Sequence, residues 1–560
     1  MFILPKPFYL LFLLIISTIF FLFLIIRLPS ISYQTNEYQH LWDFSESKIS
    51  NNSLNLHQIT CFIDGKQKRI PCIQQNDLKE VYLPFNLFLK KQFDLYGETD
   101  KKNNSFEYFT SNIPSRLFKN KNKFVIDNGS PIEQFNNVAL RPRIKCLKPE
   151  NGFPMSVQWS SIPYFYPVQI LQFGFDYFMR NRTEQRKPIE RRLSGEENLL
   201  ILKSGEKVNF QLFSDLPILL FSAKIKSMNA SFELIFEEKN GENRRKVNLE
   251  FRQWPNGSEK CVWNLNNDRE NKEENLYFAY SLEQNNDFTD FLLDLPIFLL
   301  KALHLKNNKN SHFDASNFTP ISVIFSGPLE LKINSIRQKN FAHKEIFLRV
   351  AEWLLKNQDD KGGWPVPIER ILNREEEGNK LFLPSGWYNA MAQGHALSLL
   401  ARAFNATGDE RFLMSGEKAC ALFELPSTKG GIKNQLFGYD WYEEYPTLPT
   451  GTFVLNGFIY SLIGLNDFSF YKNFSKKLFF NGMNSLRSLL PLFDTGQRSL
   501  YDLRHVQLNG NVRPNIARWD YHSLHITLLD WLYLITKENF LKEMSKRWVE
   551  YSNGLQIKHN

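Results

Sequence analysis

The sequence predicts a multidomain α+β protein: an N-terminal transmembrane anchor, a β-hairpin domain, a β-barrel/sandwich domain and a C-terminal helical array, for which an (α/α) toroid is one closure. Three observations predict it. Phe8 to Ile26 is an uncharged apolar run; short apolar segments separated by polar turns fill about 155–335; and after Asn340 the apolar residues recur at helical spacing. A chain of 560 residues exceeds one ordinary core at about 150 residues per domain. With 43% hydrophobic and 23% charged residues, a disordered polyelectrolyte is excluded.

Taken in order, the run Phe8–Ile26 is long enough as a helix to cross a hydrocarbon core of about 30 Å. A cleaved signal peptide is the rival reading, but the run exceeds the usual apolar length and no small-residue cleavage site follows at Arg27–Ser30. Lys6 and Arg27 nearly balance across it, so flanking charge orients the helix weakly. Nine N-x-[ST] acceptors, Asn51, Asn103, Asn128, Asn181, Asn229, Asn256, Asn317, Asn405 and Asn473, agree with a short cytoplasmic tail and a luminal body. That topology disfavours nucleic acid and leaves acidic polysaccharide or lipid to answer the net charge of +9. The boundaries expected are 1–29 for tail and anchor, 30–54 for a polar stem, 55–134 for the hairpins, 135–337 for the barrel or sandwich and 338–560 for the helices.

Within 55–134, Thr60 to Phe93 alternates short apolar runs with turn signals, and Lys119–Lys123 reads as an exposed loop. Cys61 and Cys72 flank Asp64-Gly65 and either bridge two strands or remain thiols. Five cysteines in all are too few for a disulfide scaffold and lack zinc-ligand spacing. Strands are expected near Asn198, Pro217, Ser231 and Pro320. Helices are expected over Glu345–Asn357, Trp387–Phe404, Arg411–Leu425, Val454–Leu465, Phe474–Leu492 and Tyr521–Ile535.

Chemistry concentrates in three places. Asp440–Pro446 sets adjacent carboxylates, Glu443 and Glu444, among aromatics before the helix at Val454. Such acids gain raised pKa values when buried, and otherwise form a solvated acidic turn. Tyr501–His505 and Asn515–His522 gather phenols, guanidinium groups and imidazoles. There Arg504 and Arg518 suit a carboxylate or sulfate, while His505 and His522 suit capping or orienting roles. Gln158, Gln169 and Gln172 interleave with Tyr164, Phe165 and Tyr166, a mixture suited to an oligosaccharide groove.

Together with Lys361–Pro365, Gly386–Gly394 and Phe453–Phe458, these motifs resemble the D-glucuronyl C5-epimerase family, from about Asn137 to the C-terminus. The resemblance implies a Golgi type II membrane glycoprotein with a signal-anchor, a homodimer, that converts glucuronic to iduronic acid in heparosan and heparan sulfate precursors. It implies Glu444 and Tyr521 flanking the sugar carbon, Tyr445 and Tyr501 assisting, and Arg504 gripping the uronate carboxylate. Groove roles would fall to Asn137, Arg141, Arg143, Gln158, Tyr166, Gln169, Gln172, Asn456, Tyr460, Asn515, Arg518, Trp519 and His522. A structural calcium ion in the β domain is implied without matched ligands, and no organic cofactor is expected. The sequence departs from the family pattern at Pro142 and by two additional residues between Tyr501 and Tyr521.

These residue types suit proton transfer at a carbon beside a carboxylate. Deprotonation there adds negative charge next to an existing one, so the carboxylate must be neutralised, and inversion needs a base on each ring face. A uronate lyase shares the first step, a paired-carboxylate glycoside hydrolase would use the same acids differently, and a non-catalytic glycosaminoglycan-binding protein would need only the basic groove.

Overall fold

The computed structural model describes residues 56–62, 69–75, 81–83, 96–100, 105–109 and, apart from short interior stretches, 135–557. The expected anchor, the stem, the Asp64-Gly65 turn and the Lys119–Lys123 loop lie outside the described residues. Among those described, no helix is long and apolar enough to cross a membrane. The chain divides into two compact units, Met1–Phe88 and Leu89–Asn560.

In the first unit, β1 (Leu56–Phe62), β2 (Arg69–Gln75) and β3 (Val81–Tyr82) form an antiparallel sheet. Their register sets Cys61 opposite Ile70 and Ile59 opposite Cys72. Cys61 and Cys72 form a disulfide, so of the two alternatives the bridge is the one observed.

In the second unit a hairpin of β4 (Tyr96–Asp100) and β5 (Ser105–Phe109) precedes a two-stranded pair, β6 (Ile144–Leu147) and β7 (Pro154–Ser156). Two larger sheets follow. One is six-stranded and includes β9 (Ser231–Glu238), β10 (Lys246–Gln253) and β12 (Phe318–Ser326); the other is five-stranded and includes β8 (Ile218–Ile225), β11 (Thr289–Asp294) and β13 (Leu329–Lys339). Alternation along β9 and β10 turns Phe232, Leu234, Phe251 and Leu249 inward. The sheets meet through rings, with Phe221 and Phe291 of one stacked at 4.7 Å and Phe221 edge-on to Phe232 of the other at 5.0 Å. Among the described residues these are open sheets, so the barrel alternative is corrected to facing sheets. A second disulfide, Cys146–Cys261, ties β6 to this layer; 115 residues separate its cysteines, and no sequence signal paired them.

Helices supply the rest: α1 (Pro167–Thr183), α2 (Leu295–Leu303), α3 (His343–Asn357), α4 (Ala390–Thr407), α5 (Glu410–Ala421), α6 (Leu455–Ser469), α7 (Asn473–Leu489), α8 (Arg504–Gln507), α9 (Trp519–Thr536) and α10 (Asn539–Ser552). All six expected helices form, with ends shifted by a few residues. The expectation of strands alone before 338 is corrected by α1 and α2, and α1 packs on α3 and α4. α4 and α6 cross closely because Gly394 and Gly464 face each other. A Cβ on Gly464 would fall 2.0 Å from the Gly394 carbonyl oxygen, so only glycine permits that approach. This crossing brings the start of α6, with Asn456, beside the loop that carries the paired glutamates.

Candidate active site

The strand Tyr439–Tyr442 pairs with Lys433–Leu436 and hands the chain to Glu443, Glu444 and Tyr445. Trp441 anchors it, stacked on Phe458 of α6 at 3.8 Å. Glu443 is 0% and Glu444 5% exposed, which removes the solvated-turn reading for both. Glu443 points into the protein and accepts from the Phe453 N–H at 3.0 Å, the Thr452 hydroxyl at 3.1 Å and the Asn434 amide at 3.2 Å. Burial pushes it up to about 8 despite those donors.

Glu444 faces a cleft instead. Burial raises it to about 7, opposed by the Tyr445 hydroxyl, the Arg370 cation and the Asn456 amide, which lies 3.4 Å away. Its carboxylate rests on Gly457 of α6, where a Cβ would sit 2.4 Å from Oε2. At neutral pH both protonation states of Glu444 are populated, as a proton carrier requires.

The opposite contribution comes from three other elements. A tight turn at Arg141–Ile144, closed by the Ile144 N–H on the Arg141 carbonyl at 3.0 Å, presents Arg141 and Arg143. α1 adds Gln169 and Gln172, which bond Gln158 at 3.1 Å and Arg141 at 2.5 Å. The N-cap and first turn of α9 add Arg518 and Tyr521. Arg141, Arg143, Gln158, Tyr166, Gln169, Gln172, Glu444, Tyr445, Asn456, Tyr460, Arg518 and Tyr521 all line one cleft of about 440 Å³, within the range of about 300–1,000 Å³ usual for small-molecule sites. Burial and the nearby Glu444 charge hold the Tyr521 phenol above its ordinary value, and Arg518 and Arg143 pull it back.

Six of the sequence-proposed residues lie outside that lining. Tyr501 meets Tyr521 edge to face at 4.8 Å. Arg504 is paired with the buried Asp502, Nη2 to Oδ2 at 2.6 Å, and Asn515 donates to the same oxygen at 2.7 Å. Trp519 lies under Arg498 at 3.9 Å. His522 Nδ1 accepts from the Ser499 N–H at 3.1 Å, so Nε2 carries the proton and donates to the Trp548 carbonyl at 3.0 Å. That imidazole rivets α9 to α10. Asn137 accepts from Arg180 at 2.9 Å and lines a separate hollow with Asp176 and Tyr177.

Sequence reasoning missed Arg370. Its guanidinium lies 3.8 Å from the Trp159 ring centroid and 4.2 Å from that of Tyr445, and its charge favours the ionised form of Glu444. A lone arginine in a two-residue strand gave no motif to find. Among the described residues no group of three or more His, Cys, Asp or Glu side chains could hold a metal ion.

The family model described as D-glucuronyl C5-epimerase C-terminus matches residues 358–550. The D-glucuronyl C5-epimerase of Caenorhabditis elegans is 34% identical over 553 residues, covering 86% of this chain and 87% of that protein. An uncharacterised protein of Methanocaldococcus jannaschii is 32% identical over 235 residues, 39% of this chain and 72% of its own length. The span matched by the family model takes in Glu444, Tyr445, Asn456, Tyr460, Arg518 and Tyr521, and identity at this level across most of both chains shows that this chain belongs to the D-glucuronyl C5-epimerase family and is an isomerase.

Proposed function

We propose that the protein epimerises D-glucuronic acid to L-iduronic acid at C5 within heparosan and heparan sulfate precursor chains, by proton abstraction on one ring face and reprotonation on the other. The observation that carries this reading is that Glu444 and Tyr521 line one cleft together with Arg141, Arg143 and Arg518. The resting pair is a Glu444 able to ionise near neutrality and a protonated Tyr521. An epimer whose C5–H faces Glu444 therefore loses that proton to the carboxylate and regains one from the phenol; the other epimer needs the reversed protonation states. Guanidinium groups facing the cleft neutralise the uronate carboxylate as charge builds at C5. Arg504, held by Asp502, supports this array beside Tyr501 and Tyr521.

The same reading places the body in the Golgi lumen on a type II single-pass membrane anchor, as a glycosylated homodimer with a structural calcium ion. The five sequon asparagines among the described residues, Asn181, Asn229, Asn317, Asn405 and Asn473, are exposed, which suits glycan attachment. The decisive experiment incubates plain and N-sulfated heparosan with the luminal fragment in deuterated water. Deuterium at C5 accompanied by iduronate is the expected result. An unsaturated product absorbing in the ultraviolet, new reducing ends, or binding without label would each overturn it in favour of lyase, hydrolase or binding protein.

A further inference from the structure

Lys301 is a buried amine that the proposed chemistry does not use. It sits on α2 in the β-rich part of the second unit and is 4% exposed. Among the described residues it meets no carboxylate. Its amine donates to the Ile144 carbonyl at 2.7 Å and to the Arg141 carbonyl at 3.1 Å. Those carbonyls belong to the first and last residues of the turn that carries Arg141, Pro142 and Arg143 to the cleft. Pro142 occupies the second position, where its fixed φ suits a turn, and the Arg143 carbonyl continues the hold by accepting from the Val157 N–H at 2.8 Å.

We propose that Lys301 is a positioning residue for substrate: it clamps both ends of the Arg141–Ile144 turn from the buried side and thereby fixes the two guanidinium groups that meet the polyanion. Burial, with Lys145 nearby, pushes the amine down to about 7, and in either protonation state it keeps at least two N–H donors, one for each carbonyl. Lys301 does not line the cleft, so its effect on a polyanion passes through the turn. Without it, the Ile144 and Arg141 carbonyls each lose their side-chain donor, and Arg141, already spanning to Gln172, and Arg143 would no longer share a fixed spacing.

The inference rests on the proposed uronate substrate, and its test separates the two. Wild-type enzyme is first assayed for C5 exchange on N-sulfated heparosan; no exchange there defeats the proposed function itself. Given exchange, Lys301→Met is expected to raise KM about tenfold with kcat within about twofold, because binding rather than chemistry is loosened. Arg143→Gln should then cost less in the Lys301→Met background than in wild type, since the clamp and the guanidinium act through one turn. Lys301→Gln, which retains a donor, should fall between and serves if the methionine variant does not fold. Unchanged KM in a folded variant, a fall in kcat at constant KM, or strictly additive effects with Arg143→Gln would overturn the positioning role.

Discussion

At the scale of single residues, two neighbouring glutamates are given different tasks by their partners. Glu443 has three protein donors and no share of the cleft, whereas Glu444 has one long amide contact, a phenol and open space before it. Glu444→Gln and Tyr521→Phe are each expected to cut C5 hydrogen release by about 10²–10⁴-fold, the usual worth of a proton-transfer group, while polysaccharide binding persists. Near-normal release would remove the residue from the mechanism. The raised carboxyl also sets a pH limb. Below about 7 Glu444 is protonated and cannot accept the C5 proton, so turnover of the epimer that it deprotonates should fall as pH drops through that value. Arg370 stabilises the carboxylate, and Arg370→Met should therefore move this limb to higher pH, by roughly one unit for loss of a neighbouring cation. A pH–rate profile checks both statements. The acids and phenols were legible in sequence because they cluster in motifs. Arg370 was not, since its role depends on a stack with Trp159, more than two hundred residues earlier, that only folding creates.

At the scale of elements, α6 does two jobs: it packs on α4 and it provides the floor beneath Glu444. Gly457→Ala would press a methyl to 2.4 Å from the Glu444 carboxylate and 2.6 Å from its Cβ. Alanine suits a helix better than glycine, so a modest change in melting temperature should accompany a loss of activity on the order of 10²-fold, as expected when a reacting group is displaced by about 1 Å. Equal losses of stability and activity would argue for general damage instead. The same elements explain what sequence could and could not reveal. α3, α5 and α7 carry one apolar stripe each and are legible by period. α1 buries Gln169, Gln172 and Asp176 along with its aromatics, so no polar face marks it as a helix. α2 is apolar nearly throughout and nine residues long, which reads equally as a buried strand. In α10 the buried stripe Leu541, Ser545, Trp548 and Tyr551 includes a serine, which breaks the apolar repeat where it would have been recognised.

At the scale of the whole molecule, buried ionisable groups tie stability to pH in opposing directions. His395 and His525 are pushed by burial down to about 3 and His522 to about 4. Their unfolded forms bind protons at higher pH than the folded ones, so their contribution is complete above about 6.5 and is lost as pH falls through the folded values. Glu443 runs the other way. Its folded value of about 8 exceeds the ordinary 4.5, so between these limits the native state holds the proton more tightly. The contribution is complete below about 4.5 and disappears as pH rises through about 8. Because the two sets overlap, the melting curve of wild type alone does not isolate either. The comparison with Glu443→Gln does, since the amide cannot titrate. The stability of wild type relative to this variant should decline steadily from pH 5 to 8.5, at a limiting slope of about 1.4 kcal/mol per pH unit. Denaturant titrations at four or five pH values across that window measure the difference directly. A difference that is flat, or that rises with pH, would mean that Glu443 is ionised in the folded protein throughout, held by the Phe453, Thr452 and Asn434 donors.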